Sequence, residues 1–111
     1  MSYKVHNVKQ EDAEGCGIAC LAILANKTYK EVRDVYLNEY GGDESKILKD
    51  GGGLTFFEMQ EIAKKMKLPS MRICNTPCIV NMGFHFVVVD FQGNVLDPAK
   101  CEVNKNIEEN K

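Results

Sequence analysis

The ten residues from Cys16 to Ala25, Cys-Gly-Ile-Ala-Cys-Leu-Ala-Ile-Leu-Ala, carry no polar side chain that could form a wet face. A helix that is apolar nearly all round has to be covered on every side. This run therefore predicts the central buried helix, opened by Gly15 and closed by Asn26-Lys27. With 111 residues there is material for one domain. A chain of that size buries roughly two-thirds of its surface on folding, so it can build this core without staples.

The elements that would cover the helix follow in order. Thr28-Tyr29-Lys30-Glu31 is a capping box and predicts a second helix to about Tyr40, with Val32, Val35 and Tyr36 inward. Gly41-Gly42-Asp43-Glu44-Ser45 breaks that helix, residues 46–50 fit no single pattern, and Gly51-Gly52-Gly53 reads as a flexible loop. Thr55-Phe56-Phe57-Glu58 is a second capping box; its helix runs to about Lys67 on a stripe of Met59, Ile62, Ala63 and Met66, stopped by Leu68-Pro69. Beyond it the pattern turns to strands at 71–74, 77–80, 84–89 and 94–96, and a weak alternation over 3–9 suggests a short edge strand. Helices first and sheet second predict an α+β fold. Residues 1–100 read as the single domain, and 101–111, rich in Asn, Lys and Glu, as a flexible tail.

Cys16 stands where the buried helix begins, at the positive end of its dipole, which predicts a lowered thiol pKa and thiolate near neutrality. Gln10 lies six residues upstream, within reach as an amide donor. His85 and Asp97 follow far downstream. Asp90 suits the first position of a turn and Gly93 its left-handed residue, so Phe91-Gln92-Gly93 reads as a hairpin loop. That loop pairs Asp90 with Asn94, Val87 with Asp97 and His85 with Ala99. His85 and Asp97 then share one face as diagonal neighbours, with Cα atoms about 7–8 Å apart. A loop longer or shorter by one residue would put them on opposite faces. Nucleophile Cys16, base His85, orienting carboxylate Asp97 and oxyanion donor Gln10 are the residue set of a papain-type cysteine hydrolase.

Plainer readings exist for each. Cysteine is among the most buried residue types, which suits Cys20, one turn into the helix. Asp97 before Pro98 also fits an ordinary turn, Gln10 a solvated polar residue, and His6 a surface residue. The pairs Cys16/Cys20 and Cys74/Cys78 could hold zinc, but the first lies inside an apolar helix and the intervals lack a knuckle's tight turn. Gly51-Gly52-Gly53 lacks the Lys-Ser/Thr of a phosphate loop. No metal or other cofactor is expected.

The chain resembles the papain-like peptidase domain of bacteriocin exporters. The residues that carry the resemblance are Gln10 with Cys16-Gly17-Ile18-Ala19-Cys20-Leu21-Ala22, then Gly53-Leu54-Thr55, Leu68, Pro77-Cys78-Ile79-Val80, His85-Phe86-Val87-Val88-Val89 and Asp97-Pro98. The resemblance spans residues 10–99. It implies helices packed on a small antiparallel sheet, a cleft between Cys16 and His85, and removal of a leader peptide by cleavage after a Gly-Gly pair. Three departures stand out. There is no membrane part, the chain is short, and Phe84 separates Gly83 from His85.

The expected function is thus a cysteine peptidase acting on a peptide or protein substrate. A deamidase, a transamidase or a thioester hydrolase would use the same triad, and a non-catalytic peptide-binding domain would keep the shape alone. A net charge of −2 supplies no basic field for nucleic acid. No apolar run approaches the ~18 residues of a membrane span. Five cysteines without an export signal predict reduced thiols in a cytoplasm.

Overall fold

The computed structural model describes residues 6–68, 78–81, 85–90 and 94–99. Among them, helices come first and an antiparallel sheet second, an α+β arrangement as expected. Helix α1 spans Cys16–Ala25, and every residue from Cys16 to Ile23 is buried. Ile18, Leu21 and Ile23 are closed to solvent; side chains of this size contribute about 1.5–3 kcal/mol each when fully buried. Asn26, in the left-handed conformation, ends the helix and donates its N–H back to Ala22 and Ile23.

Both capping boxes form. The Thr28 hydroxyl accepts the Glu31 N–H at 3.1 Å while Glu31 accepts the Thr28 N–H at 2.8 Å. Helix α2 follows over Tyr29–Asp34. It does not continue as an α-helix to Tyr40: Val35–Glu39 is one turn of π-helix, closed by Tyr40 N–H donating to Val35 O at 2.9 Å. Val32 and Tyr36 are buried as expected, and Val35 is half-buried. Gly42 folds back over the Tyr36 ring, where an added Cβ would lie 2.0 Å from a ring carbon. Residues 44–46 form a short 3-10 turn, capped by Asp43 accepting the Ser45 N–H. Helix α3 spans Phe56–Lys65 and buries Met59, Ile62 and Ala63, with Met66 half-buried just beyond it.

Strands β1 (Cys78–Asn81), β2 (Phe86–Val89) and β3 (Val95–Leu96) form one antiparallel sheet in the order β1-β2-β3. Val88 pairs with Leu96 and Val89 with Val95. Helix α1 packs on β2, and α2 and α3 pack on α1. The Phe56 ring, first in α3, stacks on Phe86 at 6.3 Å between centroids. One expectation is corrected. Residues 6–9 form no strand; instead Asn7 and Gln10 bond the turn at 97–98, Asn7 through its side chain. The strand expected at 71–74, the loop 91–93 and the tail 101–111 lie outside the described residues.

Candidate active site

The hairpin carries two of the four candidates. Asp90 N–H donates to Asn94 O at 3.1 Å, and the Asp90 carboxylate accepts the Asn94 N–H at 2.9 Å. Extending the Val88–Leu96 register by one residue pairs Val87 with Asp97, and by three His85 with Ala99. This is the register read from the turn residues. His85 and Asp97 therefore share a face, and His85 Nε2 hydrogen-bonds Asp97 Oδ1. The same oxygen accepts the Ala99 N–H at 3.0 Å. Two donors on one oxygen fix the carboxylate. With Nε2 so engaged, Nδ1 is the ring nitrogen left to exchange a proton. Both side chains are partly open, His85 at 28% and Asp97 at 20%.

Cys16, the first residue of α1, is 9% exposed. The N–H groups of Phe86, Gly17 and Cys16 itself face its sulfur. Phe86 is the residue after His85, so α1 delivers the thiol to the strand that carries the imidazole. Burial pushes the Cys16 thiol above its ordinary value, and the nearby Glu14 charge adds to this; the three N–H groups pull the other way without cancelling it. The expected thiolate near neutrality is thus corrected. The dipole and N–H donors are present, but desolvation of a sulfur packed against β2 outweighs them. Cys20, one turn on, is fully buried, and its thiol is pushed up further, first by burial and then by the charges of Cys16 and Asp97.

Gln10 reaches the site through its backbone, whose N–H donates to Pro98 O at 3.1 Å. Its side chain is turned toward the loop ahead of Cys16. Nε2 donates to Ala13 O at 3.0 Å and to Asp12 O at 3.3 Å. Oε1 is buried with no hydrogen-bond partner among the described residues.

Sequence reasoning missed a polar cluster behind that loop. The Asp12 carboxylate accepts from the Tyr29 hydroxyl at 2.6 Å and from Arg33 Nε at 2.8 Å, while Arg33 Nη2 also donates to Glu44 at 2.6 Å. Burial would raise the Asp12 pKa, but Arg33 and Tyr29 together hold it below the ordinary value. A signal was available. Arg33 falls on the same helical stripe as Tyr29 and Tyr36, so an inward guanidinium needed a carboxylate.

No solved structure matches the chain. A putative ABC transporter ATP-binding MG390 homolog of Mycoplasma pneumoniae is 32% identical over 118 residues, an alignment covering 92% of this chain and 17% of that protein. The chain thus spans about a sixth of that relative's length. The model of the Peptidase C39 family matches residues 4–109. The match covers nearly the whole chain, and the chain belongs to the Peptidase C39 family, papain-like cysteine peptidases that hydrolyse peptide bonds.

Proposed function

We propose that this papain-like domain removes a leader peptide by cutting after a Gly-Gly pair, with Cys16 as nucleophile, His85 as base and Asp97 as the orienting carboxylate. The observation that carries the reading is the His85–Asp97 hydrogen bond on one hairpin face, with the neighbouring Phe86 N–H against the Cys16 sulfur. His85 Nδ1 takes the thiol proton as the sulfur attacks the carbonyl carbon. The imidazolium then protonates the leaving amine. Water hydrolyses the thioester in the reverse sense. Asp97 holds the imidazole in the tautomer that leaves Nδ1 free and steadies its charged form. The oxyanion is received by the Cys16 N–H and by Gln10. For Gln10 this requires that the Asp12 and Ala13 carbonyls share one amide hydrogen, leaving the other for substrate.

The C39 match and the transporter relative support a leader-peptide substrate. Among the described residues no helix is long and apolar enough to cross a membrane. We place the domain at 1–100 and its work in the cytoplasm. The test is mass spectrometry of a synthetic peptide with a helical leader, a Gly-Gly pair and a short cargo, incubated with wild type and with Cys16→Ala. Scission after the second glycine by wild type alone is the expected result. A gain of about one dalton on a glutamine, with the chain intact, would assign the triad to deamidation instead.

A further inference from the structure

Asp12 touches no reacting group, yet the hydrogen bonds between the α2 side chains and the loop ahead of Cys16 run through it. Its backbone carbonyl accepts from Gln10 Nε2 at 3.3 Å and from Gly15 N–H at 3.0 Å. Gly15 is the residue on which α1 starts. The Asp12 carboxylate, 13% exposed, is gripped from the other side by Tyr29 and Arg33, one turn apart on α2. Arg33 is in turn tied to Glu44. The Tyr29 hydroxyl lies where a Gly15 Cβ would sit, 1.9 Å from that position. One residue thus connects the amide of Gln10, the turn carrying the nucleophile and a charged anchor on a packed helix.

We propose that Asp12 is a positioning residue for the oxyanion site: anchored by Arg33 and Tyr29, it fixes the amide of Gln10 and the Gly15–Cys16 turn relative to each other. This rests on the reading of Gln10 as an oxyanion donor. Misplacement of a catalytic group by about 1 Å can cost on the order of 100-fold in rate. Loss of the Asp12 anchor should therefore act on steps that create an oxyanion and spare steps that do not.

Two reagents separate those steps in the 111-residue chain without any assumption about peptide specificity. Acylation by p-nitrophenyl acetate passes through a tetrahedral oxyanion: the sulfur bonds to the acetyl carbon and nitrophenolate leaves. Alkylation by iodoacetamide displaces iodide at a methylene and forms none. Rates are read on wild type, Asp12→Asn, Arg33→Lys, Gln10→Ala and Asp12→Asn/Gln10→Ala, with Cys16→Ala as the blank. Asp12→Asn is expected to slow acylation about 10–100-fold while alkylation changes by less than about 3-fold. Arg33→Lys, which keeps the charge and loses the Nε contact, is expected to give a smaller loss and serves if Asp12→Asn does not fold. In the Gln10→Ala background Asp12→Asn should add clearly less than it does in wild type, because residues that act as one unit are not additive. Equal loss in both reactions, or additive losses in the double variant, would overturn the proposal. If Gln10→Ala alone acylates as fast as wild type, the oxyanion role of Gln10 fails first, visibly and without reference to Asp12.

Discussion

Cys16, the proposed nucleophile, is held by the fold as a thiol. Its sulfur is buried against β2, and the three N–H groups facing it do not offset the cost of removing a charge from water. Iodoacetamide alkylation of Cys16 in the free protein should accordingly still be rising at about pH 9, the ordinary range of a free thiol. Cys20, with no solvent access, should stay unmodified until the chain unfolds. A plateau in the Cys16 rate near pH 6 would show that His85 already holds the proton as a standing ion pair. Asp97→Asn removes the carboxylate that selects the His85 tautomer, and the analogous change in a serine protease costs about 10⁴-fold in kcat. A similar collapse in peptide cleavage is expected, with alkylation of Cys16 less affected. The candidates could be named from sequence because side-chain type and order along the chain single them out. The thiol's protonation state could not be, because it depends on how tightly α1 packs on β2, a long-range fact.

At the scale of elements, the hairpin joining β2 and β3 decides whether His85 and Asp97 meet. Asp90 and Asn94 close it with backbone and side-chain bonds, and the register they set puts His85 and Asp97 on one face. Deleting Gln92 would slip β3 by one residue and turn Asp97 to the opposite face. Cleavage should fall to the level of Asp97→Asn, while circular dichroism shows the helices unchanged. The two capping boxes each satisfy two backbone donors; Thr28→Ala or Thr55→Ala should each cost ~1 kcal/mol in urea unfolding. Gly15→Ala would drive its Cβ into the Tyr29 hydroxyl and should cost about 1–3 kcal/mol, partly restored by Tyr29→Phe. Caps, turn and helix ends were legible because local side chains dictate them. The π turn at Val35–Glu39 left no local mark. Over the described residues 6–9 the alternation misled, because the segment meets the 97–98 turn through single bonds from Asn7 and Gln10 and forms no strand there.

For the whole molecule, charge pairs tie the irregular segments to the helices. Asp12 and Glu58 both have pKa values held down, despite burial that opposes it, by Arg33 with Tyr29 and by Lys46 with the Thr55 cap respectively. A carboxyl lowered in the folded state stabilises above its unfolded value and loses that stabilisation as pH falls through its folded one. Lys46 and Tyr29 are raised, Lys46 chiefly by Glu58 and Tyr29 chiefly by burial with Asp12. Their stabilisation is complete below the unfolded values and is lost as pH rises past them. The buried thiols of Cys16 and Cys20 are raised too and have lower unfolded values, so urea midpoints should be flat between about pH 5 and 8 and fall on both sides. Asp12→Asn should flatten the acid limb. The bonds from Asn7 to Asp97 and from Gln10 to Pro98 join residues about ninety positions apart. Contacts so distant in sequence close late, after the local helices have formed. During synthesis the ribosome releases the thiol long before the imidazole and carboxylate exist to activate it. If the proposed triad is the catalyst, a nascent chain holding a finished α1 is inert toward the peptides around it, and proteolytic power waits until the turn at 97–98 docks on residues 7–10.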